Sequence, residues 1–273
     1  MISGAGRDTI ARMETEDLAA LREARRLLEN PGLAIALADA VGHPVEWALA
    51  RLPERAGRIV ATSTRAALDK ALGLALSTLD ARADRAPHDW RHRAAAWASG
   101  AAGGAFGLVG LPLELPVSTT LMLRSIAENA RAQGEDLGDA EARLNCLLVF
   151  ALGGRGKGDD AAETGYFAVR VAFARTVAEA AEYLASTMAA KQAVERATPV
   201  LVRLVTKIAA RFGVAVQQKL LAQLVPVAGA VGGALVNEVF MRHFQETARG
   251  HFTIRRLERK YGAEEVRRAY DAS

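Results

Sequence analysis

Two stretches of this chain carry no charge, and both are striped with glycine. The first runs from Ala94 to Leu113 and the second from Leu220 to Asn237. A motif echoes between them: Gly100-Ala101-Ala102-Gly103-Gly104-Ala105-Phe106 returns as Gly229-Ala230-Val231-Gly232-Gly233-Ala234-Leu235. On a helix, Gly100, Gly103, Gly104 and Gly107 share one face with Leu111, and Gly229, Gly232 and Gly233 share one with Val236. Glycine inside a helix costs about 1 kcal/mol relative to alanine. So many on one face need compensation, and close approach of another helix supplies it. Small residues four apart are the packing signature of helices in lipid. The stripes therefore predict packing on each other or on copies of the same chain, which makes a homo-oligomer one expectation.

The first stretch meets the length of about 20 residues that a bilayer span requires. Its hydrophobicity is low, because alanine and glycine dominate it and Pro112 lies near its end. Three readings follow: a stable span, a shallow hairpin or interfacial docking, and close-packed helices in a soluble core. The composition favours the interfacial one. Arg203, Lys207 and Arg211 form a basic stripe ahead of the second stretch and suit anionic headgroups.

The rest of the chain reads as helix. It is rich in alanine and leucine, which head the helix-propensity scale, and no segment shows sustained β alternation. An amphipathic helix over Asp17–Glu29 stops at Asn30-Pro31-Gly32. Further helices are expected over Leu33–Leu52, with a break near Gly42-His43-Pro44, and over Arg55–Leu79. A polar connector follows from Asp80 to Arg93. Pro112 and Pro116 should break a helix, with a new one starting at Pro116 and stopping at Gly134. Asp139 can cap the next helix, which ends at Gly153-Gly154.

A long helix starts near Asp159 or Asp160 and reaches Val194. Another opens at Thr198-Pro199, with Leu201, Leu204, Val205, Ile208 and Phe212 on its apolar face, and is interrupted at Gly213. A charged amphipathic tail covers Glu238–Lys260, and a short helix closes the chain over Ala263–Tyr270. The expected fold is an all-α multi-helix bundle: an N-terminal helical extension over 1–29 and a helical domain over 30–273.

A formal net charge of +4 permits attraction to anionic lipid without requiring it. Basic and acidic residues are interspersed with few aromatics, so no nucleic-acid module is expected. The single cysteine, Cys146, lies in an apolar run and reads as a buried thiol in a reducing compartment. The N-terminus lacks the apolar core of a signal peptide. The expected location is the cytoplasm, at the cytoplasmic face of the inner membrane.

Candidate chemistry is sparse. Glu114 stands between two prolines and among leucines. Its carboxylate could titrate high and carry a proton. The simpler reading has it precede the helix at Pro116 and complement the helix dipole, with Ser118, Thr119 and Thr120 as first-turn residues. His88 and His92, four apart with Asp89 nearby, lack a visible third ligand, so no metal is expected. Gly154-Arg155-Gly156-Lys157-Gly158 follows a helix and lacks the Gly-Lys-Ser/Thr ending of a phosphate loop, so a flexible linker fits better. No cofactor and no catalytic residue is expected.

The run Gly100–Arg124, GAAGGAFGLVGLPLELPVSTTLMLR, resembles the central motif of the EcsC family. So do Gly134-Glu135-Asp136-Leu137, the runs Cys146–Gly154 and Val225–Asn237, and the tail His251–Gly262. The resemblance extends from about Asn30 to Tyr270. It implies a bacterial helical protein from a family named for a neighbour of an ATP-driven transporter linked to secretion, with no established catalytic residues. The functional expectation is a non-enzymatic, membrane-associated protein with lipid or a membrane protein as partner. The alternatives are a soluble bundle enclosing a lipid-like ligand between the stripes, and an enzyme using Glu114.

Overall fold

The helix propensity of the sequence is realised along the chain. The computed structural model describes residues 13–29, 32–42, 55–77, 107–154, 165–190, 194–224 and 229–273. These form nine helices with no strand among them: α1 (Thr15–Glu29), α2 (Leu33–Val41), α3 (Ala56–Ser77), α4 (Gly107–Ala132), α5 (Ala140–Leu152), α6 (Tyr166–Ala189), α7 (Pro199–Gln223), α8 (Gly229–Tyr261) and α9 (Ala263–Ala272). The protein is an all-α multi-helix bundle.

Its spine is α8, whose 33 residues span about 50 Å at 1.5 Å per residue. It packs on α1, α2, α4, α5, α7 and α9, while α3 fills the groove between α4 and α7. Helix α5 is apolar nearly all round and buried along its length, as a helix at the centre of a bundle must be. Phe150, Phe212, Phe240 and Phe244 join α5, α7 and α8 in one ring cluster, with centroids 4.9 Å apart for Phe150–Phe212 and 5.1 Å for Phe240–Phe244. Such tilted and edge-on pairs add about 0.5–1.5 kcal/mol each beyond their buried area. Cys146 is buried in the same helix, and burial pushes its thiol pKa up to about 12.

Helix α1 shares this core through Leu21, Ala24 and Leu28. Asp17 fastens it to the end of α8, accepting from Lys260 Nζ at 2.8 Å, Tyr261 Oη at 2.9 Å and Arg256 Nη1 at 3.0 Å. Gly250 lets the two helices touch: a Cβ there would lie 2.7 Å from Leu28 Cγ and 3.1 Å from the Ala24 carbonyl oxygen.

Several expected boundaries are corrected. Pro112 and Pro116 do not break a helix; both lie inside α4. They stand four apart on its outer side, Pro112 exposed and Pro116 half-buried. The carbonyls they leave without donors, of Leu108 and Pro112, therefore face outward where water can serve them. Ser118, Thr119 and Thr120 consequently sit in mid-helix. Ser118 Oγ donates to the Leu115 carbonyl and Thr120 Oγ1 to that of Pro116. Gly213 does not interrupt α7, because a lone glycine weakens a helix without ending it when tertiary packing holds the turn. The stretch Leu220–Asn237 is not one segment: it is shared by the end of α7 and the start of α8. Asp139 is the residue before α5 but makes no side-chain capping bond. Helix α6 ends at Ala189, short of Val194. The expected helix start at Asp159 or Asp160 lies outside the described residues.

Candidate functional site

The residues that border the two uncharged stretches, Glu114 after the first and Lys219 before the second, form an ion pair. Between Arg93 and Arg124 the one ionisable side chain is Glu114, and between Arg211 and Glu238 it is Lys219. Glu114 falls in the second turn of α4 and Lys219 one turn from the end of α7. Lys219 Nζ donates to Glu114 Oε1 at 2.6 Å, and the Phe240 ring of α8 lies 5.0 Å from the same ammonium. Lys219 is 0% exposed and Glu114 8%. Desolvating two such charges is tolerable only because each neutralises the other at contact distance, with the ring face adding to the attraction. Glu114 is thus not the residue ahead of a helix. Because α4 begins at Gly107, its carboxylate points into the bundle, where a cation meets it.

Lys219 was not singled out from sequence. Its signal was present: each apolar run carries one charge, and the two charges are opposite.

Leu113 and Val117 lie on the outer side of the same helix, 80% and 45% exposed. Pro112 beside them is also exposed. The pair is neutral as a whole, and the exposed side chains of α4 beside Glu114, those of Pro112, Leu113 and Val117, are apolar. Among the described residues, no helix is long and apolar enough to cross a membrane.

Of the glycine stripes, Gly107 and Gly229 begin α4 and α8, and Gly232 and Gly233 lie in the first turns of α8. Gly100, Gly103 and Gly104 lie outside the described residues, as do His88, Asp89, His92 and the loop over Arg155–Gly158. Close approach is demonstrable at glycines that the stripes do not include. A Cβ on Gly154 would lie 2.2 Å from the Arg211 carbonyl oxygen, and one on Gly153 would lie 2.5 Å from Phe244 Cε1. Helix α5 does end at Leu152 with Gly153 as its cap, as expected, and the two glycines in addition meet α7 and α8.

The basic stripe of α7 is partly engaged inside the protein. Arg211 Nε donates to the Ala151 carbonyl and Lys207 Nζ to Thr176 Oγ1, each at 2.9 Å. Arg203 is more open, with its nearest carboxylate, Glu179, 3.6 Å away.

A second feature lies on the other side of α8. Val239, Arg242, His243 and Glu246 recur at helical spacing and face a cleft of about 190 Å³. Its opposite walls come from the end of α1, from α2 and from the start of α6. Beneath it Tyr166 is hydrogen-bonded through its hydroxyl to His251 Nδ1 at 2.8 Å. Burial, reinforced by the charges of Arg170 and Arg255, holds His251 well below its ordinary pKa, so the imidazole is neutral. His243 Nε2 donates to the Gly153 carbonyl at 2.8 Å. Glu114 is not among the cleft's lining residues.

The family model described as the EcsC protein family matches residues 39–257 of the chain. No curated protein and no solved structure matches it.

Proposed function

Because the chain belongs to the EcsC family, we propose that it is a non-enzymatic, membrane-associated helical protein that docks on lipid through its uncharged end, as an accessory to transport or envelope function. The observation that carries this reading is the Glu114–Lys219 pair. An apolar end that held one unpaired charge would resist contact with hydrocarbon. Here the two charges cancel inside the protein, while Leu113 and Val117 project outward. Contact is shallow in this reading, since the apolar surface belongs to helix sides and not to a span. Gly229, Gly232 and Gly233 keep the start of α8 slim, so that helices or copies of the chain can approach it closely.

The test is flotation of the purified full-length chain with vesicles of phosphatidylethanolamine and phosphatidylglycerol. The wild type should rise with the vesicles. Leu113→Asp/Val117→Asp should remain at the bottom with unchanged helical circular dichroism, since both side chains are already exposed. A wild type that stays at the bottom, or a double variant that rises equally, overturns the proposal.

A further inference from the structure

The cleft on the far side of α8 differs in kind from the apolar end, and what it can hold follows from its lining. Part of its wall is aliphatic, from Leu27 of α1, Leu33 and Ala36 of α2, Val169 of α6 and Val239 of α8, and the rest is polar, from Tyr166, Arg242, His243, Glu246 and Thr247. At about 190 Å³ it exceeds the roughly 150 Å³ of an apolar cavity that admits benzene, so a short alkyl chain or one ring fits.

The polar groups of the lining are nearly all satisfied within the protein. Tyr166 is bonded to His251, His243 to the Gly153 carbonyl, and the Thr247 hydroxyl to the His243 carbonyl. Glu246 is in electrostatic reach of Arg26 on α1. That leaves Arg242, which has no hydrogen bond or ion pair among the described residues. A guanidinium presents a planar fork of donors that matches a carboxylate or phosphate. A pocket with one aliphatic wall and an uncommitted guanidinium at its rim is complementary to a molecule with a short apolar tail and an anionic head.

We propose that this cleft binds a small single-chain anionic amphiphile, its head on Arg242 and its tail between α1, α2, α6 and α8. The site is separate from the proposed membrane-facing end, and either can fail without the other.

Isothermal titration of the full-length chain tests it with octanoate, octanol and octyl phosphate as probes, all below their aggregation limits. Octanoate or octyl phosphate should bind saturably at one site, about tenfold more tightly than octanol. Preference for octanoate would point to a free fatty acid as the source of the anion, and preference for octyl phosphate to a phosphate-headed lipid. Arg242→Ala should bring the anion down to the affinity of octanol. The side chain is exposed and has no partner among the described residues, so the fold should tolerate its loss. Ala36→Phe, which fills the cleft, should abolish binding of all three. The proposal is overturned if no anion binds the wild type, if octanol binds equally well, or if Arg242→Ala leaves the anion's affinity unchanged.

Discussion

The two ends of α8 are built on opposite electrostatic plans. Near its start, Glu114 on α4 and Lys219 on α7 form one buried pair, with Lys219 0% and Glu114 8% exposed. At its finish, ionic contacts crowd together. Glu135 is held by Arg255 and Arg259, Asp17 by Arg256, Lys260 and Tyr261, and Arg170 meets Glu258 at 2.6 Å. Burial pushes the Glu135 carboxyl up, but its bonds to Arg255 and Arg259 outweigh this and hold it below the usual carboxylate range. In the dry end, losing one partner strands a charge. In the wet end Asp17 and Glu135 are just as buried, but each has at least two cationic partners, several of them half-exposed, so a neighbouring cation stands in for a lost one. The charge-rich end is therefore the more forgiving one, and the nearly chargeless end depends on a single contact.

The largest effect should come from splitting the buried pair. Lys219→Met or Glu114→Leu alone should lower stability by about 3–5 kcal/mol, whereas the double variant should recover most of that loss. Urea unfolding of the two singles and the double closes the cycle. Single losses below about 1 kcal/mol would mean that the dry end is wetter than its geometry implies, and the contrast with the other end would collapse.

Next in size is a steric test at the junction of α5 with α7. Gly154→Ala places a methyl group against the Arg211 carbonyl and should cost about 2–3 kcal/mol by overpacking. Gly213→Ala, with nothing within 4 Å of the new carbon, should instead stabilise α7 by about 0.5–1 kcal/mol. Thermal melts of the two variants should move in opposite directions. Equal shifts would show that backbone entropy, and not close approach, sets the role of Gly154.

A smaller destabilisation than that of Gly154→Ala is expected at the wet end. The hydrogen bond from Lys260 leads the causes that bring the Asp17 carboxyl down from 3.8 to about 2. A carboxylate with a depressed folded pKa contributes stability that is complete above its unfolded pKa and is lost as pH falls through the folded one. The window is therefore pH 4 down to 2. The shift corresponds to about 1–2 kcal/mol once the partial exposure of Lys260 and Arg256 is allowed for. Asp17→Asn should remove that amount at pH 7 and flatten the profile of stability below pH 4. Added salt should weaken the wild-type contribution here while leaving the Glu114–Lys219 cycle nearly unchanged, which is the sharpest form of the comparison.

The helical class, the apolar face of α7, the close of α4 at Gly134 and the burial of Cys146 were all legible in the sequence, because each rests on local periodicity, glycine geometry or composition. The break expected at Pro112 and Pro116 was not. Local rules price the missing hydrogen bonds, but only packing decides that the unpaired carbonyls face water. Gly153 and Gly154 read correctly as a helix stop, but their close contacts did not show, because the helices that press on them lie some sixty and ninety residues away. The pairing of Glu114 with Lys219 was half legible. Each charge stands alone in an apolar run, and opposite sign made partnership available, but sequence has no measure of which runs will touch.

The sequence by itself determined that this chain is a bundle of helices with two uncharged stretches and family motifs along most of its length. Only the tertiary structure decided that the lone charges of those stretches cancel each other, that the charged end of α8 ties down α1, and that Arg242 stands over a partly aliphatic cleft. Helix formation is governed by neighbours within a few residues. Charge compensation and cavity shape are governed by groups a hundred residues apart, brought together by the burial of apolar faces that carry no record of their partners.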